Sequence, residues 1–176
     1  MRLKPAALDI ETKMEIGCGN TSDLGLAVAC LIIESEKPRF FEEGEASDLL
    51  AALAQKDLLI IGHNIQKFDY EVLRPYWPAG AVERLLPRTF DTMLELARYT
   101  RRWHSLGDLA FLNFGERKKE DGAEVPALWR RGERERVKAY CAHDALLALR
   151  LYKLGRPYGK IRIPHNGRVR EILVSW

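Results

Sequence analysis

Four carboxylates stand where they can act together: Asp9, Glu11, Asp69 and Asp144. In Leu8-Asp9-Ile10-Glu11-Thr12 the acids are two residues apart, at the end of a short apolar stretch. Side chains at i and i+2 share one face of a strand, so these carboxylates converge while Leu8 and Ile10 turn to the core. Like charges held side by side cost energy unless a cation neutralises them. A D-x-E pair also arises by chance at strand ends, so it carries weight only in company. Asp69 follows the turn Gly62-His63-Asn64, at a strand-to-helix junction where α/β sites tend to form. Taken alone, Asp69 reads equally well as a helix cap. Tyr140 and Asp144 are four residues apart in a helical pattern and share a face. A set of carboxylate oxygens suits hard divalent cations, Mg²⁺ or Mn²⁺, and the chemistry such cations assist.

The elements that must position these side chains follow from apolar pattern and punctuation. Strands are predicted at 6–10, 24–33, 39–41, 58–62 and 88–90. Helices are predicted at 46–55 with Ser47 as N-cap, and at 68–73, ended by Pro75 and Pro78. Asp91 is read as the cap of a helix at 92–99, and Ser105 as the cap of one at 106–114. The longest helix, 134–154, buries Val137, Cys141, Leu147, Leu151 and Leu154 and stops at Gly155 and Pro157. Two last strands, 160–163 and 168–174, flank His165-Asn166-Gly167, a hairpin signal. Three leading strands followed by alternating helices and strands predict an α/β fold, a mixed sheet covered by helices.

Composition narrows the class. With 176 residues and 30% charged residues the chain suits one α/β domain, 1–176. No apolar run approaches the roughly 20 residues of a membrane span, and no secretion signal core of about 7–15 apolar residues leads the chain. Three cysteines without a CxxC pair suggest free thiols in a reducing cytoplasm and no zinc site. Residues 1–100 hold 11 basic and 16 acidic side chains, whereas residues 101–176 hold 17 and 9. An acidic half that could chelate cations is thus joined to a basic half that could hold an anionic polymer, although such charges often only solvate helix faces.

The order of Asp9-x-Glu11, then Asn64…Phe68-Asp69, then Tyr140-x3-Asp144 resembles the three motifs of the DEDD superfamily of 3′-5′ exonucleases. Position 139 is Ala139, and on a helix His143 points about 100° from Asp144, so the tyrosine variant is the one resembled. Gly62-His63-Asn64, Phe90-Asp91-Thr92-Met93, Ser105-Leu106 with Leu109-Ala110, and the closing Val174-Ser175-Trp176 resemble the YprB-type RNase H-like domain, which also occurs near helicase-like proteins.

The resemblance implies an RNase H-like sheet flanked by helices, here with a C-terminal β-hairpin. It implies metal-dependent 3′-5′ removal of nucleotides from single-stranded nucleic acid, DNA in preference to RNA, beside a helicase or polymerase. Two divalent ions are implied: Asp9 would be shared between them, Glu11 and Asp144 would complete one, and Asp69 would serve the other. Tyr140 would orient the attacking water. A tyrosine phenol, with an ordinary pKa of about 10, suits positioning better than proton abstraction. Expected strand contacts are Thr12, His63, Asn64, Phe68, Arg101 and Arg102. Arg117, Lys118, Lys119, Arg130 and Arg131 are further phosphate candidates, and Trp103 or Trp129 could stack on a base. Two other readings stay open: a binding or scaffold domain without catalysis, and an RNase H-type endonuclease.

Overall fold

The apolar run 26–33 has no polar face, and a strand of that kind must be covered on both sides. The computed structural model describes residues 3–34, 36–117, 122–156 and 158–176. Along it run β1 (Lys4–Thr12), β2 (Leu26–Ile33), β3 (Arg39–Glu42), α1 (Ala46–Leu53), β4 (Leu58–Gly62), α2 (Asp69–Leu73), α3 (Ala81–Leu85), β5 (Thr89–Asp91), α4 (Thr92–Thr100), α5 (Leu106–Phe114), α6 (Val125–Arg130), α7 (Arg134–Leu154), β6 (Gly159–His165) and β7 (Arg168–Val174). The main sheet has the order β3-β2-β1-β4-β5, and β6-β7 is a separate hairpin. The β1-β2 and β2-β3 pairs are antiparallel, and β1-β4 and β4-β5 are parallel. This is the mixed, helix-flanked sheet of an RNase H-like fold.

Every residue of β2 is buried, because helices lie on both faces. On one face Leu8, Ile10, Leu31 and Ile60 pack with Leu49, Leu53, Tyr70, Leu73 and Leu85 from α1, α2 and α3. On the other, Ala7, Val28, Cys30 and Ile61 meet Leu128 of α6 and Val137, Cys141 and Leu149 of α7. The period-2 alternation of β1 therefore aims Leu8 and Ile10 at the first layer and Asp9 and Glu11 at α7. No described helix is long and apolar enough to cross a membrane.

Several predicted details change. Ser47 lies inside α1 and is exposed. The helix entry is shaped instead by a capping box between Glu42 and Glu45 in the preceding turn. The helix predicted from 68 begins at Asp69 and ends at Leu73, where Pro75 stands in a 3₁₀ turn, Arg74–Tyr76, and Pro78 follows that turn. Two short helices, α3 and α6, have no counterpart among the predicted elements. The hairpin strands extend to His165 and from Arg168, which leaves a two-residue Asn166-Gly167 turn with both φ angles positive.

Candidate active site

Strand β1 pairs with β4 only as far as Ala7↔Ile61, and beyond that point the two strands part. The opening is the cleft. It has a volume of about 390 Å³ and is lined by Asp9, Glu11, Asp69, Tyr140 and Asp144, together with Thr12, His63 and Phe68. Carboxylates that are 135 positions apart in the chain thus share one concavity. A larger, more open depression of about 690 Å³ crosses the edge strand β3 and α1 and shares no residue with the cleft.

Asp9 and Glu11 project from the end of β1, where the pairing with β2 slips between Glu11 and Thr12. That irregularity adds local twist at the mouth of the cleft. The Thr12 hydroxyl donates to the Met14 carbonyl at 2.8 Å, so its proton is committed to the turn. Behind the pair, the Cys141 thiol donates to the Asp9 carbonyl at 3.2 Å. Ligand atoms of Asp9, Glu11 and Cys141 all lie within 4.8 Å of one another. Burial pushes the Cys141 thiol well above its ordinary value, helped by Cys30 and the charges of Asp9 and Glu11. In the metal-free protein it is therefore a neutral donor, with its proton directed at the Asp9 carbonyl.

Asp69 opens α2 with only 4% of its surface exposed. Burial pushes its carboxyl up to about 8. The backbone N–H groups of Asp69 and Ile10 work against that shift, and the charges of Asp91 and Asp144 add to it. The Ile10 N–H can serve Asp69 because β4 has already left β1 at that level. Tyr140 and Asp144 come from α7, one turn apart and both buried. The donor set is carboxylate oxygen, the charges are crowded, and the nearby sulfur is protonated. That combination fits a hard divalent cation held by Asp9, Glu11, Asp69 and Asp144.

Asp91 has a different task. Its Oδ1 accepts from the backbone N–H groups of Asn64, Met93 and Leu94 at 2.9, 3.0 and 3.2 Å, and its Oδ2 accepts from Gln66 N at 3.2 Å. One buried carboxylate caps α4 and closes the loop that delivers Asp69. Asn64 takes φ +65 in that loop, a left-handed position that asparagine tolerates, and it does not line the cleft. Gly62 is required by close approach, since a Cβ there would sit 2.6 Å from the Ile65 Cβ. His63 does line the cleft, with Nδ1 2.9 Å from Thr92 Oγ1 and Nε2 2.9 Å from the His104 carbonyl.

The expected strand contacts divide. Thr12, His63 and Phe68 belong to the cleft wall. Arg101 and Arg102 are exposed in the α4–α5 connection and do not line the cleft, and Arg102 donates to Asn166 Oδ1 of the hairpin turn at 2.9 Å. Arg130 pairs with Glu15 and Arg131 with Glu133. Arg117 lies over the Phe111 ring, and Lys118 and Lys119 fall outside the described residues. Trp129 is not available for stacking: it is 8% exposed, with the Arg134 guanidinium 3.3 Å from its ring centroid. Trp103 is 57% exposed. His143 reaches Glu116 at 3.2 Å and does not line the cleft. The sequence reading missed Gly122, Ala123 and Pro126, which close the cleft beside Tyr140. Only the glycine gives a signal, because its missing side chain leaves room for the Tyr140 hydroxyl.

Comparison with curated protein sequences gives no match. Among solved structures, the fold is similar to a family B DNA polymerase from the hyperthermophilic archaeon Pyrobaculum calidifontis, with a TM-score of 0.65 and 15% identity. The match covers 87% of this chain but 24% of the polymerase, so the chain spans about a quarter of that protein's length. The model of a 3′-5′ exonuclease family matches residues 5–154, and the chain therefore belongs to that family of hydrolytic, DEDD-type exonucleases.

Proposed function

We propose that the chain removes nucleotides from the 3′ end of single-stranded nucleic acid, DNA in preference to RNA, with two Mg²⁺ or Mn²⁺ ions held by Asp9, Glu11, Asp69 and Asp144. One observation carries the reading: acids from a strand, a loop-helix junction and a long helix line a single cleft with Tyr140. When bound, the cations would neutralise phosphate charge and make water nucleophilic near neutral pH. The residues of the chain supply the rest. Asp69 and Asp144 are fixed on helix backbones and hold their oxygens without reorganisation. The Tyr140 hydroxyl, one turn from Asp144, orients the attacking water. The water oxygen bonds to phosphorus as the bond from phosphorus to the 3′ oxygen breaks. A nucleoside 5′-monophosphate leaves, and the shortened strand gains a 3′ hydroxyl. The preference for DNA rests on the likeness to a DNA polymerase, which also makes a polymerase the partner to test ahead of a helicase.

The test is digestion of matched 3′- and 5′-labelled DNA and RNA strands with Mg²⁺ or Mn²⁺, beside a circular single strand. Stepwise loss of the 3′ label is expected, with the circle intact. Asp144→Ala and Asp9→Ala should each reduce the rate by at least about a thousandfold, the scale on which transition-state charge stabilisation acts. Full activity in Asp144→Ala, or cleavage of the circle, overturns the reading.

A further inference from the structure

Trp103 and Lys67, we infer, form a base-stacking platform at the rim of the cleft that takes one nucleobase of a single strand; this rests on the function proposed above. Of the four tryptophans, Trp77 and Trp129 are buried and Trp176 is half-buried, while Trp103 is 57% exposed. An indole left in water adds little to the core, yet this one is held in place. The Lys67 ammonium lies 4.8 Å from its ring centroid, a cation-π contact.

The segment on either side is pinned. The Arg102 N–H donates to Thr100 Oγ1, and the Arg102 guanidinium donates to Asn166. His104 is buried, and its carbonyl meets His63 Nε2. Trp103 is the one residue of this stretch that turns a large apolar surface outward while its neighbours are tied down. Its two connections lead straight to the cleft: Lys67 precedes Phe68 and Asp69, and His63 lines the wall. A flat π surface accepts any base, and the adjacent ammonium suits the phosphate that accompanies it.

The test uses Asp144→Asn, so that the strand is bound but not consumed, with fluorescent oligothymidylate of twelve residues. Adding Trp103→Ala should weaken binding about tenfold, within the range seen for loss of one stacked base, and Trp103→Phe should recover most of it. A single abasic residue walked along the oligomer should cost a similar factor at one position only, and nothing further in the Trp103→Ala background. Intrinsic tryptophan fluorescence should be quenched by the oligomer in the Trp103 protein alone. Equal affinity of the Trp103→Ala and Trp103 proteins, or an identical loss on a fully abasic strand, overturns the platform. The abasic walk on the Trp103 protein keeps the test decisive if the alanine variant folds poorly. Trp103-dependent binding without nucleotide release by the wild type would instead defeat the proposed activity and leave the platform standing.

Discussion

Asp69 is a carboxylate whose surroundings ask for a counter-charge. Burial and the charges of Asp91 and Asp144 all disfavour its ionised form, against two backbone N–H groups that favour it. Near neutral pH the metal-free protein therefore holds Asp69 protonated, and the proton uptake this requires opposes folding. Asp69→Asn should raise the thermal midpoint in chelator by a few degrees, about 1 kcal/mol for a chain of this size, and should blunt the further rise that Mg²⁺ gives the wild type. Calorimetry with and without Mg²⁺ measures both, and a lower midpoint in chelator would contradict the crowding argument. Tyr140 sits in the same cleft without being a carboxylate. Tyr140→Phe keeps the ring that packs beside Cys141 and Ala145 and loses only the hydroxyl. Turnover should fall about 100-fold, the scale on which lost positioning of a reacting group acts, while the concentration of Mn²⁺ giving half-maximal rate stays the same. A shifted Mn²⁺ requirement would move the hydroxyl from water positioning to metal binding.

At the scale of elements, Asp91 is the joint between two of them. It caps α4 and gathers Asn64 N and Gln66 N, so the strand-end residue fixes the loop that carries Asp69. Asp91→Ala leaves four backbone donors without their acceptor. It should cost about 3 kcal/mol, a lost cap plus buried charge-assisted bonds, seen as a lower urea midpoint. The helix-cap half of this role was legible in the sequence, because Phe90-Asp91-Thr92 precedes an apolar helical pattern. The loop half was not, since Asn64 lies 27 residues earlier and nothing local marks the contact. The same division runs through the fold. Period-2 alternation placed Asp9 and Glu11 on one face, and i to i+4 spacing placed Tyr140 above Asp144. Short elements escaped notice: α3 has five residues behind a left-handed Gly80, and α6 has six with a proline in its first turn. Neither is long enough to show a helical period. The burial of Asp69 depends on Ile10, whose N–H is open only because β1 and β4 separate, a property of pairing rather than of sequence.

The whole molecule includes a part that the family match stops short of. Residues 5–154 correspond to the 3′-5′ exonuclease family, and the hairpin β6-β7 follows them. Its inner face is not an appendage: Ile161, Ile163 and Val174 are buried with Leu96 of α4, Leu109 of α5 and Leu151 of α7. The Asn113 side chain acts as an extra strand edge for β6, donating to the Arg162 carbonyl and accepting from its N–H, both at 2.8 Å. Trp176 closes the arrangement, its indole N–H donating to the Tyr152 carbonyl at 2.8 Å and its ring packing on Phe90. Contacts of this kind tie the hairpin to α7, which also carries Tyr140 and Asp144, so the hairpin and the sheet should melt together. Asn113→Ala removes two hydrogen bonds at the seam and should lower stability by about 2 kcal/mol. Because the seam is shared, the urea transition followed by far-ultraviolet circular dichroism should shift by the same amount as that followed by tryptophan fluorescence, whose reporters lie in both parts. Two separated transitions in the variant, with the sheet midpoint unmoved, would show instead that the hairpin folds on its own and that the helix bearing Asp144 is held without it.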